Sequence, residues 1–250
     1  MSGHSKWSTI KHKKAAKDAK RGKMFTKLIR EITVAARMGN SGDPNFNPRL
    51  RTAVLAAKAA SMPNDNIDRA IKKGLGEGGG AAYEDVMYEG YGPGGVAIMV
   101  RALTDNRNRT VADIRGTFQR HGGSLGEAGC VGWMFQRRGV LVVDGASIDE
   151  DRLMEVALEA GGDDVAGSDA AWEVSTSPEA FEAVRDALGK AGAKLDSAEV
   201  TMVPSNTVAA SGADAEKLLK LLDALEDHDD VQAVSANADL DEDEVARLSA

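Results

Sequence analysis

The chain has 250 residues, 42% hydrophobic but only 4% aromatic, which suffices for one large domain or two to three small ones with cores of Ala, Val, Leu, Ile and Met. Its one cysteine, Cys130, excludes an internal disulfide framework, no apolar run approaches the ~18–20 residues of a membrane span, and MSGHSKWSTIKHKK lacks the apolar stretch of a secretory signal, so a cytoplasmic protein without a membrane partner is expected. The net charge of −8 hides a division: residues 1–75 carry 17 Lys and Arg against 5 Asp and Glu, a net +12, and the other 175 carry −20.

Residues 1–21 hold Trp7 and Ile10 but otherwise only alanine as apolar material, so they read as a basic, flexible arm ending at Gly22. A basic, acid-poor start also fits a mitochondrial transit peptide, but the run leads without a break into a patterned helix. Met24, Phe25, Leu28, Ile29, Ile32 and Ala36 recur at helical spacing, and the helix should end near Gly39. Asn47-Pro48 reads as an N-cap followed by proline at the first helical position, with Leu50, Val54 and Ala57 on one face. A third helix after Pro63 carries Ile67, Ala70 and Ile71 and stops at Gly74. These make a helical domain over 22–75, and GLGEGGGAA at 74–82 is a linker by composition, at the point where the charge changes sign.

Beyond the linker, Val86–Tyr91 and Val96–Leu103 read as strands around the turn Gly92-Pro93-Gly94-Gly95. A helix follows with Thr110-x-x-Asp113 as capping box and Val111, Ile114 and Phe118 inward, then a strand over Val131–Phe135. Residues 139–204 give strand Val140–Val143, a helix capped by Ser147-x-x-Glu150, strands near Asp164–Gly167 and Trp172–Ser175, a helix opened by Ser177-Pro178, and strand Val200–Val203. That order is the split βαβ of ferredoxin-like folds. Strand Thr207–Ala210, a leucine-rich helix and strand Val231–Ser235 form another half-sheet, which pairs with the earlier half. The expected fold is therefore α+β: a small N-terminal helical domain and two ferredoxin-like α/β domains, one (137–204) inserted in the other (76–136 plus 205–238), with an acidic tail at 239–250.

Motifs for catalysis are weak. GLGEGG at 74–79 and GYGPGG at 90–95 match G-x-G-x-x-G, but neither sits between a strand and a helix, as a phosphate cradle requires. His4, His12, His121 and His228 are scattered, and Cys130 has no cysteine partner, so no metal is expected. Glu84, Asp85 and Glu89 read as a solvated strand edge. No catalytic residue and no cofactor are expected.

The specific signal is basic. Lys6, Lys11, Lys13, Lys14, Lys17, Lys20, Arg21, Lys23, Lys27 and Arg30 face only Asp18 in the first thirty residues, and several recur at helical spacing, which makes a phosphate-tracking stripe. A second cluster comprises Arg101, Arg107, Arg109, Arg115 and Arg120, with Arg107 and Arg109 at a strand-to-helix junction that itself attracts phosphate. Two readings of it stand: phosphate contacts, or salt bridges within the chain.

The stretches GHSKWSTIKHKKAAKDAKRGKMFTKLIREI (3–32), SGDPNFNPRLR (41–51), SMPNDNIDRAIKKG (61–74), YEGYGPGG (88–95) and TDNRNRTVADIR (104–115) closely resemble the YebC/PmpR family, over essentially the whole chain. The resemblance implies three domains around a cleft and no catalytic residues. Bacterial members are described as DNA-binding transcriptional regulators; mitochondrial relatives are translational activators, and some bacterial ones look ribosome-associated. Many Ala, Gly and Asp residues in 139–250 depart from an average member and bear on partner contacts in that half. The expected function is a non-enzymatic, monomeric DNA-binding transcriptional regulator. A translation factor binding ribosomal RNA on the ribosome and a protein-interaction scaffold are the alternatives. With only Trp7 in the arm for base stacking, duplex DNA is the preferred partner.

Overall fold

The computed structural model describes residues 19–77, 83–168 and 170–241. In chain order the elements are α1 (Ala19–Met38), α2 (Pro48–Ala59), α3 (Asn64–Gly74), β1 (Glu84–Tyr91), β2 (Ala97–Thr104), α4 (Arg107–Arg120) and β3 (Ser124–Leu125). Then come β4 (Phe135–Asp144), α5 (Glu150–Glu159), β5 (Gly162–Ser168), β6 (Ala171–Thr176), α6 (Phe181–Lys190) and β7 (Leu195–Pro204). The last are β8 (Val208–Ala210), α7 (Gly212–Glu226), β9 (Val231–Ala236) and β10 (Ala238–Leu240). The fold is α+β.

The three N-terminal helices close on a small core of Ile32, Ala35, Leu50, Val54, Ile67 and neighbours, as their spacing predicts. Helix α1 runs through Gly22, where the arm was expected to end, and so takes in Ala19–Arg21. An interior glycine costs a helix only about 1 kcal/mol, and the buried face from Phe25 onward outweighs that. Met24, expected inward, is 43% exposed. Asn47 caps α2 as expected, accepting the Leu50 N–H at 3.1 Å, and its amide also donates to the Ala35 carbonyl at 2.8 Å. A side chain at Gly39 would collide with that amide at 2.2 Å, so the α1–α2 corner needs glycine there.

The second core lies under a four-stranded antiparallel sheet in the order β3-β1-β2-β9, with α4 and α7 packed on it through Ile114, Phe118, Leu218 and Leu222. Strand β8 does not join this sheet, contrary to the expected second ferredoxin-like pairing; it pairs in parallel with β10. The buried Asn237 explains the split. Its side-chain oxygen accepts from the Ala97 N–H at 2.7 Å, its N–H donates to the Ala97 carbonyl at 3.1 Å, and its carbonyl accepts from Val208 at 2.7 Å. The chain therefore leaves the first sheet at Asn237 and starts a second. Strand β10 also includes Asp239 and the buried Leu240, which the sequence reading placed in an acidic tail; residues 242–250 of that tail lie outside the described residues.

The third core belongs to the segment inserted between these halves. Its order β5-β6-β4-β7, all antiparallel, is the split βαβ arrangement, with α5 and α6 on one face over Leu141, Val143, Trp172 and Val174. Two helix starts differ from expectation. Asp149, not Ser147, caps α5, because the Ser147 hydroxyl donates to the Asp144 carbonyl at 2.6 Å; and α6 begins at Phe181, after Ser177 has accepted the Ala180 N–H. The expected strand Val131–Phe135 is instead a turn at Gly132–Met134 leading into β4.

Candidate functional site

The basic residues divide by what they touch. Lys23, Lys27 and Arg30 lie at i, i+4 and i+7, hence on one face of α1. That face rests on the C-terminal end of α7, where helix carbonyls lack partners and the helix dipole is negative. Lys23 Nζ donates to the Asp227 carbonyl at 3.3 Å, Lys27 Nζ to the Glu226 carbonyl at 2.5 Å, and Arg30 to the Asp229 carbonyl. Three cations expected to meet phosphate thus dock the helical domain onto the sheet domain. Lys20 and Arg21 lie in the first turn of α1; Lys6, Lys11, Lys13, Lys14 and Lys17 lie outside the described residues.

Asp230, just beyond α7, is the centre of this junction. Its side chain is 4% exposed. Arg30 donates to Oδ1 at 2.8 Å; Arg109 and the Thr110 hydroxyl donate to Oδ2 at 2.9 and 2.6 Å. Burial would raise the Asp230 pKa, but the Thr110 and Arg109 hydrogen bonds and the Arg30 charge outweigh it and hold the carboxyl below its ordinary range. The same bond corrects the expected capping box: Thr110 is drawn inward to Asp230, and Asn106 caps α4 instead, accepting the Arg109 N–H at 3.1 Å.

A second junction is a closed ring of four charges. Glu31 of α1 receives Arg49 at 2.8 Å and Arg101 at 3.0 Å, and Asp85 of β1 receives Arg49 at 2.9 Å and Arg101 at 2.7 Å. Burial opposes ionisation of Asp85, but Arg101 first and Arg49 second outweigh it and lower its pKa. Tyr83 joins the same seam, with Arg30 at 5.7 Å and Lys73 at 5.5 Å from its ring centre. On the other side, Thr52 of α2 donates to Glu182 of α6 at 3.1 Å, so the helical domain touches both sheets' domains.

The arginine cluster therefore splits. Arg101 and Arg109 form salt bridges within the chain, and Arg120 donates to Thr117 at 3.0 Å. Arg107 and Arg115 are exposed on α4 and form no hydrogen bond or ion pair among the described residues. Because Arg30 and Arg109 share Asp230, the α4 N-terminus bearing Arg107 lies beside the α1 face that leads back to the arm.

Sequence reasoning missed two aromatics. Phe46, between Pro44 and Pro48, is 82% exposed, and Trp133 is 72% exposed. Trp133 stands on a loop tied down by Glu89, whose buried carboxylate accepts the N–H groups of Gly129, Val131 and Gly132 at 2.8, 2.8 and 2.6 Å. Those bonds outweigh its burial and lower its pKa. They also take the N–H groups a strand at 131–135 would have used. The indole N–H donates to the Cys130 carbonyl at 3.2 Å. Hydrophobicity alone reads Trp133 as core; the flanking glycines were the available sign of a constrained loop.

Among the described residues there is no group of three His, Cys, Asp or Glu side chains placed to hold a metal ion, and no helix is long and apolar enough to cross a membrane.

Known proteins match this arrangement end to end. Residues 5–77 match the TACO1/YebC protein N-terminal domain, and residues 83–238 match the TACO1/YebC second and third domain. A probable transcriptional regulatory protein of Geobacter sulfurreducens is 59% identical over 248 residues, covering 99% of this chain and all of that one. Another protein of that description, from Desulfotalea psychrophila, is 57% identical over 250 residues and the whole of both chains. The crystal structure of a conserved hypothetical protein from Aquifex aeolicus superimposes with a TM-score of 0.85 at 50% identity, covering 93% of this chain and 96% of that one. With both family models matched and relatives this similar over full length, the chain belongs to the TACO1/YebC family.

Proposed function

We propose that this chain is a non-enzymatic regulator that binds nucleic acid, duplex DNA foremost, through the phosphate backbone. The observation that carries this reading is the convergence of the two basic elements on Asp230. Arg30 and Arg109 meet there, so the root of a strongly basic arm and the exposed Arg107–Arg115 edge of α4 share one side of the molecule. The acidic remainder, at −20, repels polyanions elsewhere and confines contact to that side. The relatives named probable transcriptional regulatory proteins fit a regulatory role. The lysines docked on α7 are withdrawn from the phosphate-contacting set, which leaves Lys6, Lys11, Lys13, Lys14, Lys17, Lys20 and Arg21 with Arg107 and Arg115. Fluorescence titration of the full chain with a duplex at 50 and 200 mM salt tests it. If ~6–10 phosphates are contacted, affinity falls on the order of 10³–10⁵-fold; salt-independent binding rejects the reading.

One observation favours a second reading, binding of ribosomal RNA in translation. Exposed Trp133 and Phe46 offer faces for unpaired bases, each stack being worth about 1–3 kcal/mol. Crosslinking in cells with sequencing of both DNA and RNA separates the two. Ribosomal RNA enrichment that survives DNase selects the second, and enrichment of duplex DNA selects the first.

A further inference from the structure

The inserted domain covers only one face of its sheet with helices. Along β6, Trp172 and Val174 point into that helix-covered core, so Glu173 and Ser175 point to the other face. There the structure has an open cleft of ≈ 450 Å³, lined by Gln136, Arg138, Asp163, Asp164, Glu173 and Ser175 over apolar floor residues including Val140 and Val203. Glu173 is 8% exposed, and its Oε2 is buried with no hydrogen-bond partner. Buried carboxylates are almost always hydrogen-bonded or paired, because an unpaired one is costly. The one cation among the residues lining the cleft, Arg138, is engaged elsewhere, by Asp163 at 2.6 Å and by Gln136 at 3.2 Å. Asp164, the next acidic group, adds negative charge to the same wall.

We propose that this cleft binds a small organic cation of the alkyl-diammonium class. One ammonium would satisfy Glu173, the other Asp164, and the methylene chain would lie on Val140 and Val203. The volume is ample for such a ligand. The site is remote in chemistry from the basic surface and does not depend on how nucleic acid is bound.

The test is calorimetric titration of the full chain, freed of nucleic acid, with 1,4-diaminobutane. A saturable isotherm is expected, with affinity about tenfold or more weaker in Glu173→Gln, which keeps the shape but not the charge. Burial first, and Asp164 second, push the Glu173 carboxyl up to about 7. Asp163, Asp164 and Arg138 are the charged groups lining the cleft around it. Wild-type affinity should therefore rise several-fold from pH 6 to pH 8, while Glu173→Gln stays flat. If Glu173→Gln does not fold, Asp164→Asn, at an exposed position, carries the comparison. No saturable heat at millimolar amine, or equal affinity in the variant, overturns the proposal, because a diffuse acidic surface would behave in that way.

Discussion

Glu89 and Glu173 are both glutamates on sheet strands, both more than nine-tenths buried, and they are opposite in consequence. Glu89 receives three backbone N–H groups and titrates below its ordinary range; Glu173 has an unpartnered oxygen and titrates near 7. The linkage signs follow. A depressed carboxyl contributes stability that is present above the unfolded pKa and fades as pH falls through the folded one. A raised carboxyl favours the folded state below the unfolded pKa, and that contribution is lost as pH rises through the folded one. Urea denaturation at pH 5 and pH 8 should therefore separate the two isosteric variants. Glu89→Gln loses on the order of 2–3 kcal/mol at pH 8, because a neutral amide oxygen replaces a carboxylate accepting three N–H groups. Its Trp133 emission should shift as the loop loosens. Glu173→Gln gains at pH 8, by up to about 3 kcal/mol at ~1.4 kcal/mol per pKa unit, and little at pH 5. Two variants shifting the same way at pH 8 would contradict this account.

At the scale of elements, the docking of α1 onto α7 depends on one carboxylate. Asp230→Ala leaves Arg30 and Arg109 without their shared partner and removes the shortest of the Thr110 hydroxyl's contacts, leaving it the Thr104 hydroxyl and the Asn106 carbonyl. Removing one partner of a buried pair costs about 3–5 kcal/mol; Arg109 is 47% exposed, so about 2–3 kcal/mol is expected, read from the denaturation midpoint. Limited proteolysis should proceed faster, as the helical domain leaves its seat. The same elements show what the sequence can reveal. Helices with a periodic apolar face, such as α1 to α3, were legible, and so was the inserted β-α-β-β-α-β order, because local spacing encodes both. Three of the departures come from long-range polar bonds. Thr110 is a cap by pattern but bonds Asp230, 120 residues away. Val131–Phe135 is a strand by hydrophobicity but gives its N–H groups to Glu89, and β8 leaves the main sheet because Asn237 binds Ala97 across 140 residues. Half of the candidate site was legible as charge. Which cations are free was not, since Lys23, Lys27 and Arg30 look like the arm lysines until their partners are in place.

For the whole molecule, the division of charge has two jobs that mutation can separate. Some positive residues join the domains; others face outward. Arg101 is in the ring with Glu31, Asp85 and Arg49, and Arg109 is on Asp230, so both belong to the first group. Arg107 and Arg115, exposed and without a side-chain hydrogen bond or ion pair among the described residues, belong to the second. If Arg107 and Arg115 each meet one phosphate, the double change to alanine should reduce the slope of log affinity against log salt by about 1.8, at ~0.9 per phosphate, and leave the melting temperature unchanged. Arg101→Ala should do the reverse. It leaves Glu31 and Asp85 facing each other with only Arg49 between them, which lowers the melting temperature, and any loss of binding should follow from the displaced helical domain, with little change of slope at temperatures where the fold is intact. Surface charges screened by salt would weaken both variants alike. The decisive comparison is therefore the pair of slopes measured on folded protein at one temperature. Equal slopes for Arg107→Ala/Arg115→Ala and wild type would move the nucleic-acid contact off α4 and onto the arm alone, whereas a reduced slope makes arm and helix one continuous surface for the polyanion.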